Sequence, residues 1–214
     1  MQKISETLSQ NHFRVVIFGS ARIKQNDRDY QRIYHLAKRI ASEGIDIVTG
    51  GGPGVMEAGN KGCQDAARKK GNHSHSIGLT IRLPKEQKAN DHIDVKKDFN
   101  RFSQRLDYFM SLANVVVVAP GGVGTALEFF YTWQLLQVRE LHHVPIILMG
   151  KMWNGLIRWV EQWPLKKHYL NPEDLYPIIA AESPTEVIKL IKEAHKFYQR
   201  NRENHHYEEA RYKI

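Results

Sequence analysis

Residues 120–128 read Pro120-Gly121-Gly122-Val123-Gly124-Thr125-Ala126-Leu127-Glu128, directly after the apolar run Val115-Val116-Val117-Val118 and directly before a helical pattern. The order is strand, glycine-rich turn, and helix bearing a carboxylate. Glycines at 121, 122 and 124 keep Cβ atoms out of the turn, so its N–H groups can approach a phosphate at the positive end of the helix. Glu128 then falls about one turn into that helix, within reach of whatever the turn holds. A second cluster, Thr49-Gly50-Gly51-Gly52-Pro53-Gly54-Val55-Met56-Glu57, also follows an apolar stretch, Ile45-Asp46-Ile47-Val48. With Gly19-Ser20-Ala21-Arg22 as a third turn, these loops point to a nucleotide site. Glu57 reads equally as a ligand contact or as a charge complement to its own helix N-terminus.

Such turns need a sheet edge to hold them together. Short apolar runs recur at residues 14–18, 45–48, 76–80, 115–119, 144–149 and 176–180, separated mostly by helical spacings. That alternation predicts an α/β protein with a Rossmann-like doubly wound parallel sheet and helices on both faces. Residues 115–118 have no polar face, as a central strand buried on both sides requires. Ligands of such sheets bind at the carboxyl ends of the strands, where all three glycine turns fall. Helices are expected over 29–41, 99–112, 126–138 and 185–198, the last beginning after Ser183-Pro184. Residues 83–98 show neither period and contain Pro84, Asn90 and Asp91, which predicts a functional loop near the substrate.

Composition bounds the partners. A chain of 214 residues, 42% hydrophobic and 25% charged, fits one domain over 1–214, with a core at about 13–198 and a mixed-charge tail at 199–214. The net charge of +8 would permit nucleic-acid binding, but acids are interleaved with the basic residues, so no nucleic-acid partner is expected. No apolar stretch approaches the roughly 18–20 residues of a membrane span, and the first residues lack a signal-peptide core. No membrane partner and a cytoplasmic location are therefore expected. Cys63 is the single cysteine and reads as a packing residue. The histidines, His142-His143 and His205-His206 included, lack metal-ligand spacing and are expected at the surface, so no metal is assigned. Trp133, Trp153, Trp159 and Trp163 read as packing or interface residues.

Four segments in order resemble the Lonely guy (LOG) family. Its hallmark Pro-Gly-Gly-x-Gly-Thr-x-x-Glu is matched without a break by Pro120–Glu128, and the Gly19–Arg22 turn, the Gly51–Ala58 loop and Leu83-Pro84-Lys85-Glu86-Gln87-Lys88-Ala89-Asn90 also match, within a likeness running from about Phe13 to Lys192. The resemblance implies cofactor-free hydrolysis of the N-glycosidic bond of a nucleoside 5′-monophosphate, giving free base and ribose 5-phosphate. It implies catalysis by Glu128 with Arg105, and nucleotide or phosphate contacts from Gly19, Ser20, Gly51, Gly52, Gly54, Glu86, Gly121, Gly122, Val123, Gly124 and Thr125. For Glu86 and Asn90, loop-holding hydrogen bonds are the alternative to nucleotide contact. The chemistry suits the pair: cleavage develops oxocarbenium character, which a carboxylate stabilises while a guanidinium orients substrate and carboxylate. A structural ion pair is the plainer reading of the same two residues. Many relatives carry a lysine decarboxylase label, which would need a pyridoxal phosphate lysine that nothing near these motifs supplies. Leu106, Tyr131 and Gln134 depart from the family pattern, and are expected around the substrate. A non-catalytic nucleotide or nucleotide-cofactor carrier of the same fold is the alternative.

The resemblance also implies a homodimer or higher homo-oligomer. The helix after the turn carries Phe129, Phe130, Tyr131, Trp133, Leu135, Leu136 and Val138 around most of its circumference. A helix on a monomeric sheet buries one stripe, so a two-fold copy is expected to cover the rest.

Overall fold

The computed structural model describes residues 12–68, 71–82 and 88–203. Seven strands form one sheet in the order β4-β3-β2-β1-β5-β6-β7. They are β1 (Arg14–Phe18), β2 (Asp46–Thr49), β3 (Ser76–Ile81), β4 (Val95–Phe99), β5 (Val115–Val118), β6 (Ile146–Met149) and β7 (Ile178–Ala181). Every pairing is parallel, with Val15 opposite Val115 and Phe18 opposite Val118 at the centre. The chain winds outward from β1 to β4, then returns to lay β5 on the other side of β1. That reversal opens a crevice between the carboxyl ends of β1 and β5.

Among the described residues six α-helices cover the sheet: α1 (Arg28–Ala41), α2 (Val55–Ala67), α3 (Phe102–Leu112), α4 (Val123–Gln137), α5 (Asn154–Val160) and α6 (Pro184–Glu203). Because side chains alternate along a strand, β1 sends Val15 and Ile17 to one face and Val16 and Phe18 to the other. The first pair packs under α1, α2 and α6 through Ile33, Val55 and Ile191. The second packs under α3, α4 and α5 through Phe109, Phe129 and Val160. Val115–Val118 is fully buried on both sides, as its unbroken apolar run requires. Cys63 is buried on α2, and burial pushes its thiol up to about 12, so it packs rather than reacts.

Three expectations need correction. Helix α3 begins at Phe102 and not at residue 99, because Phe99 ends strand β4. The segment 83–98 is not loop throughout, because Val95–Phe99 forms edge strand β4. Its central Lys96, Lys97 and Asp98 hide the strand from a search for apolar runs, and such charges are common on edges, where they discourage further pairing. Helix α4 begins at Val123, three residues earlier than the sequence pattern placed it, so the glycine-rich turn is continuous with the helix's first turn.

Candidate functional site

A cleft of about 520 Å³ occupies the crevice between β1 and β5. Gly19, Ser20, Ala21 and Arg22 form one bank, and Gly122, Val123, Gly124 and Thr125 the other. Ser20 N–H donates to Pro120 O across the crevice (3.0 Å), tying the two loops together. Gly122 is the N-cap of α4 and supplies no side-chain cap. The first helical bond runs from Ala126 N–H to Gly122 O (3.0 Å), leaving the N–H groups of Val123, Gly124 and Thr125 at the open end of the helix. This terminus carries partial positive charge and free donors, which suits an anion.

One turn further on, Glu128 faces the same cleft. Its Oε1 lies 3.6 Å from Arg105 Nη2, with the two side chains only 18% and 11% exposed. Burial pushes the Glu128 carboxyl up to about 7, partly offset by the positive charge of Arg105. Burial likewise lowers the Arg105 pKa, with Glu128 opposing it. Arg105 packs over the Phe109 ring at 5.3 Å, and its buried Nε has no hydrogen-bond partner among the described residues. Glu128 is the one carboxylate among the described residues lining the cleft.

The second glycine loop builds the seat for Arg105. A Cβ added at Gly50 would meet the Arg105 guanidinium and come within 2.7 Å of Met56 Sδ, so a larger residue there would have to displace Arg105 from its present position. Gly54, at φ 70°, lets Val55 N–H reach Ser20 O (2.9 Å) and starts α2 beside the first loop. Beneath this loop lies a buried polar network. Thr49 Oγ1 donates to Asn60 Oδ1 (2.6 Å), Asn60 Nδ2 donates to Ser76 Oγ (2.9 Å), and Asn90 Nδ2 donates to Gly52 O (2.9 Å) and Asn60 Oδ1 (3.0 Å).

The structure therefore brings Gly19, Ser20, Arg105, Gly122, Val123, Gly124, Thr125 and Glu128 into one cleft. It does not line that cleft with Gly51, Gly52, Gly54 or Gly121. The first three shape the second loop, and a Cβ at Gly121 would collide with Thr125. From that loop Gly50 and Met56 reach the cleft instead, joined by Phe102 at the start of α3. Gly50 was detectable as part of the glycine cluster; Met56 and Phe102 carried no local signal. Glu57 accepts from Gln25 Nε2 (2.7 Å) and Tyr30 Oη (3.1 Å), so it fastens α1 to α2 and does not line the cleft. Asn90 holds the second loop, and Glu86 lies outside the described residues. Leu106 is core, Tyr131 donates to Asp107, and Gln134 is exposed; none of the three lines the cleft, contrary to expectation.

The histidines also differ from expectation at one place. His12 and His75 converge on buried Asp46 at the amino ends of β1 to β3, with Nδ1 to carboxylate distances of 3.4 and 3.2 Å. Arg14 Nε lies 3.4 Å from the same carboxylate and already balances its charge, so a divalent cation would sit beside a buried guanidinium. A further cavity of about 400 Å³, bordered by Phe13, Pro145 and Pro177, opens at these amino ends, away from both glycine loops.

Fold and cleft together define a parallel α/β protein with an uncapped helix terminus at its topological switch point. The chain belongs to the family described as "Possible lysine decarboxylase", the LOG family, which it matches over residues 47–191. It is 28% identical over 197 residues to the pyrimidine/purine nucleotide 5′-monophosphate nucleosidase of Escherichia coli (strain K12), covering 88% of this chain but only 42% of that protein. It is 25% identical over 173 residues to the probable cytokinin riboside 5′-monophosphate phosphoribohydrolase LOGL3 of Oryza sativa subsp. japonica, covering 77% and 76% of the two chains. In fold it resembles the molybdenum cofactor carrier protein of Chlamydomonas reinhardtii (TM-score 0.65, 21% identity, 87% and 99% covered). The decarboxylase description does not fit the site: pyridoxal phosphate needs a lysine for its Schiff base, and no described cleft-lining residue is lysine.

Proposed function

We propose that the protein hydrolyses the N-glycosidic bond of a nucleoside 5′-monophosphate, AMP or an N6-modified AMP, to free base and ribose 5-phosphate. One observation carries this reading: a buried carboxylate beside a guanidinium, set one turn in from an uncapped helix terminus in a single cleft. From Gly124 to Glu128 the helix rises roughly 6 Å, of the same order as the span from a 5′-phosphate to C1′ of ribose. A phosphate on the Val123–Thr125 N–H groups then brings C1′ to Glu128. The C1′–N bond breaks with its electron pair leaving on the base, a water oxygen bonds C1′ while Glu128 takes one water proton, and the departing base gains a proton from solvent, which Glu128 repays on returning to its carboxylate form. Arg105 keeps Glu128 oriented, and the carboxylate's negative charge stabilises the developing oxocarbenium. Among the described residues Glu128 is the one carboxylate lining the cleft, in contrast to the paired carboxylates of glycoside hydrolases. The names of the Escherichia coli and rice relatives support the same reaction class. An N6-modified base as product would make the reaction cytokinin-forming. A cytoplasmic location and a homodimer are part of the same reading.

A second reading is a carrier, because the fold is shared with the molybdenum cofactor carrier protein of Chlamydomonas reinhardtii. A panel of nucleoside monophosphates assayed for free base and ribose 5-phosphate decides between them. Stoichiometric appearance of both products supports the hydrolase; tight binding of an intact nucleotide with neither product supports the carrier.

A further inference from the structure

The cleft holds a second arginine that the scheme above leaves unused. Arg22 ends the turn after β1 and lines the cleft on the bank facing the α4 terminus. Its backbone is well fixed. Ser20 Oγ accepts the Arg22 N–H (3.1 Å), Ser20 N–H donates to Pro120 O (3.0 Å), and Ser20 O accepts Val55 N–H (2.9 Å). The side chain, by contrast, is exposed and forms no ion pair with another described residue. Arg105, the other cation among the described residues lining the cleft, is already matched by Glu128.

Charge arithmetic shows what is missing. A phosphate monoester brings close to two negative charges at neutral pH. The α4 terminus offers about half a positive charge, and the Arg105–Glu128 pair contributes about none when ionised. Among the described residues other than Arg22, a dianion would therefore be seated against roughly a quarter of its charge. Adding a guanidinium on the facing bank brings the positive side to about one and a half charges, and supplies the planar donor fork that suits phosphate oxygens.

We infer that Arg22 is the phosphate clamp of this site: it closes over a phosphate seated on the Val123–Thr125 N–H groups and makes the cleft select 5′-phosphorylated substrates over free nucleosides. The inference rests on the proposed reading of the α4 terminus as the phosphate seat. Arg22 touches only the phosphate, so it acts on binding and leaves the bond-breaking step to Glu128.

The test is calorimetric binding of ribose 5-phosphate to wild type, Arg22→Gln, Arg22→Lys and Gly124→Val, with steady-state kinetics on AMP. Arg22→Gln is expected to weaken ribose 5-phosphate at least about tenfold and to raise KM for AMP by a similar factor, with kcat within about threefold of wild type, as loss of one charge-assisted contact implies. Arg22→Lys should recover part of the loss, which a merely structural role for Arg22 would not allow. Wild-type affinity in Arg22→Gln with lost affinity in Gly124→Val would overturn the clamp and leave the phosphate seat standing. Unweakened binding in both variants, or none by wild type, would overturn the seat and the clamp together.

Discussion

Glu128 can accept a proton from water only as a carboxylate, and its burial beside Arg105 sets that ionisation near neutrality. Because the shift is upward, the active form is lost as pH falls through about 7 and is fully present well above it. On substrates whose phosphate is already ionised, log kcat/KM should therefore rise with unit slope, about tenfold per pH unit, below the transition and level off above it. A pH profile flat from 5 to 8 would contradict the role of Glu128 as base. At Gly124 the expected effect is spatial. A Cβ there meets no atom of the chain within 4 Å and the backbone lies outside the left-handed region, so Gly124→Val should fold normally and obstruct only the open cleft. Its thermal unfolding should match wild type while nucleotide affinity falls; a Gly124→Val protein that binds nucleotide unchanged would show that the turn is not the phosphate seat. Glu128 and the Pro120–Thr125 turn were legible in the residues themselves, because a glycine turn between a strand and a helix has one placement and the helix carries Glu128 with it, whereas Arg105 was named only through the resemblance to the LOG family. Gly50, Met56 and Phe102 were not assigned to the site, because their place depends on how α2 and α3 meet across the sheet.

At the scale of elements, the site depends on two loops that must not move relative to each other. Asn60, fully buried on α2, hydrogen-bonds with Thr49, Ser76 and Asn90, and so joins β2, β3 and the second glycine loop. Asn60→Ala strands these partners in the interior and should cost about 3 kcal/mol. For a chain of this size that lowers Tm by roughly 6–12 °C, measurable by calorimetry. An unchanged Tm would mean the network is not what holds the loop. Strands β1, β3 and β5 and helix α1 lie where the apolar periodicity put them, because their burial is two-sided or amphipathic and leaves a clear pattern. Strand β4 escaped because an edge strand bearing Lys96, Lys97 and Asp98 has no such pattern. The early start of α4 escaped because Val123-Gly124-Thr125 reads as loop by propensity, while in the fold it is the helix's first turn.

For the whole molecule, α4 decides assembly. Phe129 and Trp133 are buried against the sheet, whereas Val123, Leu127, Phe130 and Val138 are exposed at spacings that place them on one face. We propose that a two-fold copy of the chain covers this stripe. Sedimentation equilibrium at micromolar concentration should then give twice 24.8 kDa, and Phe130→Glu should shift the protein toward monomer; a wild-type species at 24.8 kDa would contradict the dimer. Among the described residues no helix is long and apolar enough to cross a membrane. The account as a whole stands on Glu128 as a catalytic group, and the most direct measurement compares wild type and Glu128→Gln for release of free base from AMP under saturating conditions, alongside nucleotide affinity. The substitution keeps the shape and removes the charge, so kcat should fall at least about a hundredfold while affinity holds, as expected for a contact made in the transition state. Release of base by Glu128→Gln at a rate near wild type would contradict it.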